Sequence, residues 1–73
     1  MRLTELTADL QALRQNLADE LEAINRYEAQ VYTLADEHAK EVVQRIVDDK
    51  KEHVARLLDV LRRLDVKQRS VES

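Results

Sequence analysis

The sequence predicts an all-α protein, an antiparallel helical hairpin, and three observations carry that expectation. The chain contains no glycine and no proline, so it lacks the residues that tight sheet turns and helix breaks draw on. Apolar side chains recur at alternating steps of three and four along two long segments, which places them on one stripe of each helix. The periodicity loses phase across residues 33–40, where Asp36 is the one good N-cap candidate, followed by Glu37 in a first helical turn.

The first segment reads Leu3, Leu6, Leu10, Leu13, Leu17, Glu20, Ile24, Tyr27, Val31, Leu34, a helix over about residues 4–34. Its start is expected at Thr4 or Thr7, either of which can accept a backbone N–H bond, with Glu5 or Asp9 then in the first turn. A short turn over about 35–37 reverses the chain, the alternative being a single unbroken helix. The second helix is expected over about 37–65. Its seam is Val43, Ile46, Lys50, His53, Leu57, Val60 and Leu64, and Val47, Val54 and Leu61 widen the stripe to three positions in seven, the width of a bundle helix. Outside it, Glu22–Arg26, Glu41–Arg45, Glu52–Arg56 and Asp59–Arg63 are acid-to-base steps of four, a solvated surface adding a few tenths of a kcal/mol per pair. Arg62 and Arg63 suit the negative end of the helix, and residues 66–73 carry no period and are expected to fray.

Seventy-three residues make one domain, over 1–73, and small domains usually need a metal, disulfides or a partner chain to be stable. There is no cysteine, so a metal must be held by carboxylates and imidazoles, the ligands of hard or borderline ions. A hairpin cannot bury a stripe three positions wide. Two copies are therefore expected to pair into an antiparallel four-helix bundle about a two-fold axis. A net charge of −3, with bases interleaved among acids, argues against a nucleic-acid partner. No apolar run approaches a membrane span, and the first ten residues lack the apolar core of a signal peptide, so a cytoplasmic protein is expected.

Three polar residues interrupt the two seams: Glu20 in the first, Lys50 and His53 in the second. Counted from a turn near residue 35 or 36, all three lie roughly 22–27 Å away at 1.5 Å per residue, so they face one another at one level. Tyr27 sits about two turns from Glu20, toward the loop. One Glu facing a Glu-x-x-His pair is half of a di-iron carboxylate site, and a two-fold axis supplies the other half.

Residues 17–65 resemble the short ferritin-like proteins, the half-ferritins and encapsulated ferritins related to rubrerythrin. The E-x-x-A-I-x-x-Y pattern is matched by Glu20, Ala23, Ile24 and Tyr27, and D-D-E-K-E-H by Asp48, Asp49, Lys50, Lys51, Glu52 and His53, with one departure. The resemblance implies a dimeric ferritin-like bundle that binds and oxidises ferrous iron at its interface, with Glu20 and His53 as iron ligands and Tyr27 beside them. It also implies association with an encapsulin shell in the cytoplasm, although no recognisable shell-targeting tail follows Asp65. The departure is Lys50, which stands where the family has its ligand glutamate. A protonated lysine cannot ligate a metal and sets positive charge where the cation would bind. Two Glu20 and two Lys50 sum to zero, a self-neutralised site. Two functions follow: a ferroxidase-type iron site weakened by Lys50 or reduced to one metal, or a metal-free structural or assembly module in which Lys50–Glu20 pairs replace the metals. Asp19 and Glu22, beside Glu20, suit either an acidic iron entry or plain solvated charge, and His38 reads as a surface residue.

Overall fold

The computed structural model describes the backbone of residues 1–72 and side chains through residue 70. Two helices, α1 (Leu3–Thr33) and α2 (Glu37–Glu72), lie against each other as a rod of 54 × 15 × 14 Å. The reversal needs no glycine because Leu34 turns the chain in the extended region, at φ −66° and ψ 134°, while its N–H still bonds Gln30 O at 2.9 Å. Asp36 then caps α2. Its Oδ2 accepts the Ala39 N–H at 2.8 Å, and its carbonyl accepts the Lys40 N–H at 3.0 Å. The unbroken helix is thereby excluded.

Both outer ends differ from the sequence expectation. Arg2 occupies the α1 N-cap without a side-chain cap bond, and Thr4 and Thr7 lie inside the helix. Leu6, 2% exposed, and Leu10, 0%, join Leu61 and Leu64 in one buried cluster. A cap at Thr7 would leave Leu6 outside the helix, and burying a leucine contributes about 1.5–3 kcal/mol against about 1 kcal/mol for a threonine cap; a cap at Thr4 differs from the observed one by about half a turn. At the other end α2 continues through residues 66–72, which had been expected to fray. Nothing there breaks a helix, Asp65 is held by Arg14 at 3.1 Å, and Arg69 lies in the last turn where the dipole favours it. Val66 is 60% exposed, and with Lys67 and Ser70 it lines a groove against Met1 and, on α1, Leu6.

The core of the hairpin takes one side of the wide stripe. Val47 and Leu61, expected to broaden the seam, are 0% and 6% exposed, whereas Ile46, expected at its centre, is 37% exposed. Leu13, Leu17 and Val60 cover the Leu6–Leu10–Leu61–Leu64 cluster, and Ala23 and Ile24 are buried nearer the turn. On one rim two ion pairs, Arg14–Asp65 at 3.1 Å and Lys51–Glu28 at 3.7 Å, are two heptads apart on both helices (14 to 28, 65 to 51). Exposed pairs contribute at most about 1 kcal/mol each. Their importance lies in register, since a slip of one turn would break both. Of the four within-helix pairs, Arg56–Glu52 closes, at 4.0 Å.

Candidate functional site

That register brings Glu20, Lys50 and His53 together. Lys50 and His53 are one turn apart on α2 and straddle Glu20 on α1: Lys50 Nζ lies 3.3 Å from Oε1 and His53 Nδ1 lies 3.2 Å from Oε2. Both carboxylate oxygens therefore have a partner within the chain. The side chains of Glu20 and Lys50 are 22% and 21% exposed, and that of His53 is 49% exposed, so the cluster runs from between the helices out to one flank. Because an ionised carboxylate only accepts, His53 Nδ1 carries the proton of that bond, and in a neutral ring Nε2 is left with its lone pair. Lys50 Nζ also stands over the Tyr27 ring, 5.9 Å from its centroid, and Arg26 lies over the same ring at 5.1 Å. Tyr27 is thus a neighbour of the lysine.

Burial pushes the Glu20 carboxyl up, but the hydrogen bonds from Lys50 and His53, with their charges, outweigh it. The net effect holds Glu20 below its ordinary value of 4.5. The carboxylate is ionised at neutral pH and already neutralised by an ammonium.

The cluster opens onto a cleft of ≈ 440 Å³ lined by Asn16, Asp19, Glu20, His53, Arg56 and Leu57. Asp19 reaches this cleft and accepts a bond from Gln15 at 2.9 Å, whereas Glu22 is exposed and lines no part of it. The sequence reading did not place Asn16 or Arg56 here. The signal was present in spacing, since Asn16 is one turn before Glu20 and Arg56 one turn after His53. Arg56 had been absorbed into its pair with Glu52.

The donor set can be tested against a dinuclear centre. Such a centre takes a Glu and a Glu-x-x-His pair from each half. Here one chain offers a single carboxylate and a single imidazole, and among the described residues no group of three or more Asp, Glu or His is placed to hold a metal. Two chains supply two carboxylates and two imidazoles, a complement for one four-coordinate ion. The residues present do not fit two ions.

The chain matches the family described as EncFtn-like over residues 1–71. It is 37% identical over 57 residues to the encapsulin nanocompartment cargo protein EncC of Myxococcus xanthus (strain DK1622), an alignment covering 78% of this chain and 44% of that protein. The chain therefore spans less than half the length of the curated relative it matches. No solved structure matches.

Proposed function

The chain belongs to the EncFtn-like family, and on that premise we propose that two hairpins pair into a ferritin-like four-helix bundle whose interface binds one iron ion. Two Glu20 carboxylates and two His53 imidazoles are the ligands, and Lys50 excludes a second ion. The observation that carries this reading is the convergence of Glu20 and His53, on different helices, at 3.2 Å beside an open cleft. Pairing is supported by apolar side chains the hairpin leaves uncovered: Ile46 at 37% and Val42 at 41% exposed, with Leu57 and Val60 only half-buried on α2. When bound, iron at such a site supplies redox and Lewis-acid chemistry. The chain's own contribution is to aim the two ligand types and to hold the local charge near zero. The ferroxidase activity implied by the resemblance is accordingly slow or lost, and the relation to an encapsulin cargo protein supports residence inside an encapsulin shell in the cytoplasm.

A second reading is favoured by one observation: both Glu20 oxygens are satisfied by Lys50 and His53 without any metal. On it the protein is a metal-free structural or assembly module. Elemental analysis of the full chain purified without added iron separates the two. Iron retained in proportion to protein, and lost in a His53→Ala variant, supports the iron site; protein free of metal that binds none on incubation with ferrous iron supports the module.

A further inference from the structure

We propose that Lys50 is a tethered counter-ion that lets two copies of this chain pair without metal. The inference rests on the paired-bundle reading above and adds that assembly does not require iron.

The lysine is committed to the site. The flexible stem of a lysine usually carries its ammonium out to water, yet the Lys50 side chain is 21% exposed and its Nζ sits 3.3 Å from Glu20 Oε1, with the Tyr27 ring as its other neighbour at 5.9 Å. Its sequence neighbour behaves oppositely. Lys51 reaches the other rim to pair with Glu28 at 3.7 Å and is 56% exposed, so the two adjacent lysines divide between an internal and a surface role. Among the described residues no buried side-chain nitrogen or oxygen lacks a partner. Both carboxylate oxygens of Glu20 are satisfied as the cluster stands.

Charge makes the consequence definite. Around a two-fold axis the pair of sites holds two Glu20 and two Lys50, a sum of zero. A glutamate at position 50 would give four carboxylates and a sum of −4, which two divalent cations would balance. Like charges a few ångströms apart in a partly dry interface force either proton uptake or separation. A chain with four carboxylates there needs metal to close its interface, and a chain with Lys50 does not.

The test is sedimentation velocity of the full chain across a concentration series, in EDTA and in ferrous iron under anaerobic conditions, with helicity checked by circular dichroism. The unaltered chain is expected to pair in EDTA, and ferrous iron, shared between the two copies, tightens that pairing further by mass action. Lys50→Glu should pair at least about tenfold more weakly in EDTA and recover with iron, as the repulsion of like charges requires. Lys50→Met removes the ammonium without adding a carboxylate. It should also pair more weakly than the unaltered chain in EDTA, which keeps the test open if the glutamate variant does not fold. Pairing of both variants in EDTA as tight as that of the unaltered chain, or an unaltered chain that pairs only with iron, overturns the counter-ion role while leaving the paired bundle standing. An unaltered chain that is a folded monomer with and without iron overturns the paired bundle as well.

Discussion

Leu57→Ala separates a lone hairpin from a paired bundle. Leu57 is half-buried in the hairpin and lines the cleft beside His53, whereas Leu10 is 0% exposed. Truncating a fully buried leucine costs about 2–5 kcal/mol, transfer and cavity terms together, and that is the expectation for Leu10→Ala under all conditions. In a lone hairpin Leu57 already spends part of its surface in water, so Leu57→Ala should cost about half as much, roughly 1–2 kcal/mol. In the paired bundle the second copy covers the remainder, and the cost rises into the range of about 2–5 kcal/mol. The assay is thermal unfolding followed by circular dichroism at several protein concentrations. For a domain of this size 1 kcal/mol shifts Tm by about 4–8 °C, so the two cases are resolved. The deficit of Leu57→Ala relative to the unaltered chain should grow with concentration, and that of Leu10→Ala should persist even where dimers have dissociated. A Leu57→Ala cost below about 0.5 kcal/mol at the highest concentration would refute the reasoning, because the residue would then face solvent in the assembled protein.

Asp36→Ala should destabilise the chain by about 1 kcal/mol, as loss of an N-cap does, and Asp36→Asn by much less; equal costs for the two in chemical denaturation would mean the cap bond to Ala39 contributes nothing. The depressed Glu20 carboxyl gives metal-free protein an acid-sensitive component of stability. Because the folded-state value lies below that of the unfolded chain, this component is complete above about pH 5 and is lost as pH falls through the folded value, below 4.5. Glu20→Gln should flatten that part of the stability–pH curve, and an unchanged slope would remove the linkage. In EDTA, Lys50→Glu should melt earlier than the unaltered chain by the equivalent of roughly 1–3 kcal/mol, since it leaves a carboxylate without its charged partner. Ferrous iron added anaerobically should then raise its Tm by more than it raises that of the unaltered chain. Equal iron-dependent gains, and equal ferric formation on admitting oxygen, would show that Lys50 does not obstruct the site.

Much of this was legible in the residues, for definable reasons. The hairpin followed from two periodic segments and a single cap at Asp36, and the meeting of Glu20 with Lys50 and His53 followed from helical rise, because the turn is short and both arms are continuous helices. The side of the α2 stripe that faces α1 was not legible. With three apolar positions in seven, Ile46 and Val47 are equivalent in sequence, and it is the packing of the two helices that leaves Val47 at 0% and Ile46 at 37% exposed. The helix ends were misread at both termini. At Thr7 leucine burial outweighed capping, and beyond Asp65 the helix continued without an apolar period because nothing in the sequence stops it.

Anaerobic titration of the chain with ferrous iron, followed by removal of unbound metal and elemental analysis, tests the single-ion site most directly. One iron per two chains is expected, rising to two per two chains in Lys50→Glu and falling to none in His53→Ala. Two irons per two chains in the unaltered protein, or no uptake at all, would contradict a one-metal site built from Glu20 and His53 and limited by Lys50.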